Sequence, residues 1–425
     1  MRVVVATDAR MRRAPDGRIV AVDAAGAYPV WSAYHSVFDE VIVLARVSGG
    51  PARPATTRHR APPGADRWEP EGPGVAVYPL PDVGVHRSMA APPRLCRAVA
   101  AALSALGSAR PGWGPVRPGG GDRYLARLPG VVGDALIQVL SGAGAGYGVE
   151  VLGDPRPPLG GLAGRWARAP ARRRLARHAA GAGAVSYVTR RTLQERYPAA
   201  PGVITTSYAP GLEAADFVAF PRPRGAVPTP ARLLVWTSRD AGHRERAVLS
   251  CATTLTTAAL AAAGVRLEVT VAGPAADHGP VGGRSLGAGG WPGPAIIPAP
   301  GLGRAGVRAA LDRADVFVHL PAATALPRAV LVAMARGVPT VAAAAGGLTE
   351  LLAPADLVRP GDAAALAGCL AAVVTDPARL AAMSARNRRL AAGYRACDAR
   401  ERAAAFYAEF AARTGGRRRA IGGRR

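Results

Sequence analysis

The densest group of residues able to do chemistry lies between positions 315 and 350. It reads Asp315-Val-Phe-Val-His319, a stretch from Leu320 to Arg336, Gly337-Val-Pro-Thr-Val341, and then Gly346-Gly-Leu-Thr-Glu350. The pair Gly346-Gly347 lets backbone N–H groups approach a ligand closely, and a helix start directly after it suits a phosphate. Glu350, in the first turn of that helix, would serve either a ligand or the helix dipole. Arg328 opens the preceding helix and would face a ligand on the same side. His319 closes a strand near that place, as a ligand contact or a hydrogen-bonded core histidine. The chain carries no HExxH segment, no Walker A loop and no carboxylate pair at catalytic spacing.

The elements that must hold these residues follow from the local pattern. Val316–His319 is a short apolar run with β-branched residues, as in a buried parallel strand. Pro327 suits a helix start, and Ala329, Val330, Ala333 and Met334 recur at helical spacing. Gly337 suits the helix end, Pro339 stops it, and a strand follows over Thr340–Ala342. Near the ends of the strands in the same half lie Ser238, Arg239 and Arg244. An arginine there offers a bidentate fork to phosphate oxygens. In the first half, Asp154 follows a strand directly. It could orient a hydroxyl or act as a base, or simply form a turn with Pro155. Glu150 reads as structural.

Composition narrows the function classes. The chain has 425 residues, 49% of them hydrophobic, with a formal net charge of +25. That length suggests two domains. Every basic residue is arginine, spread along the chain, with no basic motif interleaved by aromatics. This argues against nucleic acid and leaves solvated surface, an anionic donor or an anionic membrane face as partners. Cys96, Cys251, Cys369 and Cys397 show no metal-ligand or redox spacing, so a reducing cytoplasmic setting is expected. No apolar run of 18 residues occurs. Peripheral attachment at the inner face of a membrane remains open.

Strand and helix patterns alternate through both halves, which predicts parallel sheets covered on both faces. Strands are expected at Arg2–Thr7, Val41–Val47, Val75–Leu80, Tyr124–Leu128, Tyr147–Leu152, Ala184–Val188 and Val203–Ser207. A second series starts at Arg232–Thr237. An arginine-rich loop should follow the first strand through Val22. The expected division is a first domain over 1–209, a proline-rich linker over 210–230 and a second domain over 231–395. A last helix over 396–412 and a basic tail over 413–425, read as disordered, complete it.

Several segments resemble family 4 glycosyltransferases of the GT-B fold, in the form found in high-GC bacteria. They are Leu326-Pro-Arg-Ala329, Ala333-Met-Ala335, Gly337, Pro339, Gly346-Gly347 and Glu350. Phe38–Arg46, Tyr147–Pro155 and Tyr187–Pro198 resemble the family's first domain. The resemblance implies two facing Rossmann-like, doubly wound domains with a cleft between them, and a last helix crossing back to the first. It implies sugar transfer from a nucleotide-sugar co-substrate to a small-molecule, glycan or lipid acceptor, with retention, no obligatory metal and no cofactor. It assigns the donor to Ser238, Arg239, Arg328, Gly346, Gly347 and Glu350. Arg244, Asp154 and Thr324 would be the catalytic set, with the acceptor near Tyr28 and Trp31. The family's paired glutamates, near the donor sugar and on the ribose, fall on Thr324 and Val332 in this chain. That departure implies an alternative: a catalytically degenerate homologue serving as a partner or regulatory subunit.

Overall fold

The computed structural model describes residues 1–22, 24–49, 69–83, 90–108, 121–155, 161–209, 211–219, 230–237, 251–253, 255–260, 264–272, 295–299, 302–320 and 325–414. The chain divides into two compact units. One comprises Met1–Tyr208 with the chain from Arg400 on; the other comprises Ala209–Ala399.

In the first unit the strands are β1 (Arg2–Arg13), β2 (Ile19–Ala21), β3 (Glu40–Ser48), β4 (Val75–Pro81), β5 (Asp122–Leu128), β6 (Gly148–Val151), β7 (Ala184–Tyr187) and β8 (Ile204–Ser207). Their order is β4-β3-β1-β5-β6-β7-β8, with β2 off the path on β1. All neighbours on the path run parallel. The chain thus winds outward from β1, returns past it and winds the other way, which is the Rossmann order with an added strand. The strands alternate their core. Val4 and Ala6 face one apolar cluster. Val3 and Val5 face the other, which includes Trp31, Tyr34, Phe406 and Phe410.

The second unit repeats the plan. Its strands are β9 (Ala231–Trp236), β10 (Leu267–Ala272), β11 (Ala295–Ala299), β12 (Val316–His319), β13 (Thr340–Ala343) and β14 (Leu357–Val358). Their order is β11-β10-β9-β12-β13-β14, and every pair is parallel. Leu233 and Val235 pack on one side, Leu234 on the other. Helix Ala363–Val374 starts on Asp362, whose carboxylate accepts the Ala365 N–H at 2.9 Å.

Three sequence expectations need correction. The arginine-rich loop after the first strand is a hairpin: β1 runs on to Arg13 and pairs antiparallel with β2. Pro15-Asp16-Gly17 makes the turn, with Gly17 at φ +83. Residues 211–217, expected as linker, belong to the second unit. Arg328 bonds the Gly211 carbonyl at 2.5 Å and Asp216 at 2.6 Å, and Arg336 bonds the Ala215 carbonyl at 3.2 Å. The arginine-rich stretch Pro170–Ala180 reads as a helix starting at its proline, but the helix begins at Gly161 and carries Pro170 within it. The last helix, Ala396–Arg413, lays Phe406, Tyr407 and Phe410 on the first sheet. Gly148 makes that approach feasible, since a Cβ there would sit 2.7 Å from Phe410. Among the described residues no single helix is long and apolar enough to cross a membrane.

Candidate functional site

The carboxyl ends of parallel strands are where open α/β sheets present ligand sites. In the second unit, β13 ends at Ala343, and the Ala344 N–H still serves the ladder through the Val358 carbonyl at 2.7 Å. The next three residues leave the sheet. Gly346 takes φ +51, a left-handed conformation suited to glycine. Among the described residues, the N–H groups of Ala345, Gly346 and Gly347 donate to no acceptor. Three successive backbone donors without partners make an anion-binding concavity. The helix that follows, Leu348–Leu351, is a single turn. Its dipole is therefore slight, and the amides themselves carry whatever attraction the turn has. Glu350 lies half-buried one turn in.

Helix Arg328–Ala335 precedes this strand. Val332, at the position of the resemblance's ribose-binding glutamate, is buried in the core among Leu326, Val330 and Leu348. The reading of Arg328 as a donor contact is corrected by its bonds. Its fork is engaged by Asp216 and the Gly211 carbonyl, and burial lowers its pKa. Asp216 is buried, also meets Arg308 at 3.4 Å, and closes a capping box with Glu213. Arg328 thus ties residues 211–217 down. His319 is buried at the end of β12, 6.5 Å from the Phe317 ring. Ser238, Arg239, Arg244 and Thr324 lie outside the described residues.

In the first unit the acceptor-side readings change more. Asp154 does follow β6, but it is buried and enclosed. Arg172 reaches it at 2.9 Å and Arg196 at 3.3 Å, and the Tyr197 hydroxyl donates to it. Burial works to raise its pKa; Arg172 and Tyr197 outweigh that and hold it below the usual range. A carboxylate so engaged pins its turn to two helices instead of awaiting a substrate proton. Trp31 is fully buried, its indole N–H on the Gly26 carbonyl at 2.8 Å. It is a core residue. Tyr28 is half-buried, with its hydroxyl on the Pro73 carbonyl at 3.2 Å.

One group escaped the sequence reading, and a second surrounds Glu150, the residue read as structural. Asp8 lies where β1 passes the start of helix Val131–Gly142, and it accepts the Val132 N–H at 3.2 Å. Arg46, near the end of β3, pairs with it at 3.0 Å and with Asp82 at 3.3 Å. Burial raises the Asp8 pKa despite Arg46. The signal was there, since Asp8 directly follows Thr7 at the end of the expected strand. In the second group the buried Glu150 carboxylate accepts Tyr34 at 2.9 Å, Tyr208 at 2.5 Å and Tyr407 at 2.9 Å. Arg127 stands 3.1 Å away and lies 5.1 Å over the Trp31 ring. Among the described residues, no three His, Cys, Asp or Glu side chains are grouped to hold a metal ion.

Residues 300–390 match the family model of group 1 glycosyl transferases. A comparison with curated protein sequences finds no match. Among solved structures, sucrose-phosphate synthase from Thermosynechococcus elongatus is 13% identical, with a TM-score of 0.59 over 97% of this chain and 99% of that one. An alpha,alpha-trehalose-phosphate synthase (UDP-forming) from Burkholderia vietnamiensis is 13% identical, with a TM-score of 0.56 over 97% and 99%. HepE from Anabaena, solved in complex with UDP-glucose, is 13% identical, with a TM-score of 0.55 over 96% and 100%. The fold is that of the GT-B glycosyltransferases: two Rossmann-like units, each with a doubly wound parallel sheet.

Proposed function

We propose that this protein transfers a sugar from a nucleotide-sugar donor to an acceptor hydroxyl. The observation that carries the reading is the place of the family match. Residues 300–390 span β12, β13 and the turn at Gly346-Gly347, whose three amides have no acceptor. A nucleoside diphosphate brings the oxygens such donors bond. Arg244 and Arg239 would neutralise the leaving diphosphate, with Ser238, Thr324 and Glu350 beside the donor. UDP is the first nucleotide to test, because HepE was solved with UDP-glucose. Retention, absence of a metal requirement and a cytoplasmic setting belong to the same reading.

Calorimetry with a panel of nucleoside diphosphates tests it, followed by turnover of the matching nucleotide-sugar. Micromolar binding that R244A weakens at least tenfold is expected. No heat with any nucleotide would remove the enzyme reading. A second reading, a non-catalytic homologue that stabilises a partner, is favoured by Val332, which puts a buried methyl pair where a carboxylate would grip the ribose. Nucleotide binding without turnover, together with a co-purifying glycosyltransferase, would select it.

A further inference from the structure

We infer a second anion site in the second unit, at the amino end of β13, opposite the Gly346-Gly347 turn at its carboxyl end. A cavity of about 440 Å³ opens between residues 217–218 and the end of helix Pro377–Ala391, and Arg388, Arg389, Arg395 and Phe217 line it. Its position is fixed by Arg388, whose side chain lies against Gly337, where a Cβ would stand 3.0 Å from the Arg388 Cδ. Gly337 precedes β13, whereas Gly346 follows it.

The charge pattern is selective. Arg379 and Arg386, on the same helix, both pair with Asp356. Arg308 and Arg328, beside the opposite wall, both pair with Asp216. Among the described residues, Arg388, Arg389 and Arg395 make no ion pair. Three uncompensated guanidinium groups therefore meet at one concavity, while their neighbours are neutralised. The walls are rigid. Residues 211–217 are held by Arg328, and Leu212 exchanges backbone bonds with Tyr394 at 2.7 Å and Ala396 at 2.9 Å. The Arg395 guanidinium lies 5.7 Å over the Phe217 ring, which fixes its direction.

Planar forks converging without carboxylates suit phosphate oxygens, and the volume admits a phosphate with a sugar-sized group on it. The ligand class is a phosphomonoester or diphosphate, carried by a soluble metabolite or by a lipid headgroup. Its uncharged part would rest against Phe217, Ala385 and Ala392.

The test uses the full chain in two arms. One is calorimetry with inorganic pyrophosphate. The other is sedimentation with phosphatidic acid–phosphatidylcholine vesicles against phosphatidylcholine alone. The double variant R389Q/R395Q spares Arg388, whose stem packs on Gly337. It should weaken pyrophosphate binding at least tenfold with an unchanged circular dichroism spectrum, and R389Q alone roughly fivefold. Loss of vesicle binding instead would assign the site to a lipid headgroup. Unchanged behaviour of both variants in both arms, or no binding by the unaltered protein in either, overturns the inference. Pyrophosphate held at the Gly346-Gly347 turn would survive these substitutions, so the outcome does not depend on the glycosyl-transfer reading.

Discussion

Glu150 gives the sharpest prediction. It sits on the β6 face that the last helix covers, and its carboxylate serves Arg127 and three tyrosine hydroxyls. The Arg127 Nε lies 3.1 Å from it but out of line for a hydrogen bond, so their contact is mainly ionic. Removing one partner of a buried pair costs about 3–5 kcal/mol, because the other charge stays buried. E150Q and R127M should each cost that much. In R127M/E150Q no charge is stranded. The Tyr208 and Tyr407 hydroxyls still bond each other at 2.7 Å, so the double variant should cost only about 1–3 kcal/mol for phenols left short of an acceptor. The coupling between the two sites is then about 3 kcal/mol or more. Burial first, and the Glu150 charge second, push the three phenols well above their ordinary pKa. They remain donors, so the coupling should be flat between about pH 6 and 9.

A chain of two units need not unfold in one step. The assay is therefore hydrogen exchange under denaturant, read on peptides from β6 and from helix Ala396–Arg413. Tyr208 ends the first unit's main segment, and Tyr407 belongs to the segment that rejoins it. Loss of Glu150 should deprotect both together. Additive single variants, or an E150Q cost under about 1 kcal/mol, would refute the reasoning.

Other variants test the remaining contacts. A Cβ on Gly130 would stand 2.2 Å from the Asp8 carboxylate. G130A should thus cost about 1–3 kcal/mol in denaturant titrations, and D8A should recover most of it in the double variant. R328K cannot bond both Asp216 and Gly211, so it should cost about 1–3 kcal/mol and raise hydrogen exchange over residues 211–217. Asp134 meets His178 at 2.5 Å; burial works to raise its pKa, but His178, the Ala91 N–H and Arg174 lower it overall. Asp154 is lowered likewise. Carboxylates with depressed folded pKa values stabilise above their unfolded pKa of about 3.9 and lose that contribution as pH falls through the folded value. The first unit's thermal midpoint should thus drop below about pH 4, and D134N or D154N should reduce that slope.

The fold was legible because β-branched runs and helical spacing are local. Val316–His319 begins and ends where the pattern says, and the strand expected over Thr340–Ala342 runs one residue further. The first hairpin was missed because Arg10, Arg12 and Arg13 look like loop, although Met11 between them is buried against the sheet. Site residues were less legible because their partners are distant in sequence. Asp154 reads as open at a strand end until Arg172, Arg196 and Tyr197 arrive from two later helices. Trp31, beside a proline, reads as a rim aromatic until Arg127 covers it.

The two units share one winding order and differ at the rim. In the first, the start of helix Val131–Gly142 already holds a carboxylate, that of Asp8. A phosphate there would meet a like charge and have to displace Asp8. In the second, the turn after β13 offers three amides with no acceptor and no aspartate of its own. The two places are not equivalent in the winding order, since Val131 follows β5 and residues 345–347 follow β13, the counterpart of β6, but they differ in charge all the same. On the proposed reading a diphosphate would be drawn to residues 345–347 rather than to the Asp8 end of the first sheet. Replacing Asp8 by asparagine removes the carboxylate at the start of helix Val131–Gly142 and should raise pyrophosphate affinity there, which calorimetry would read.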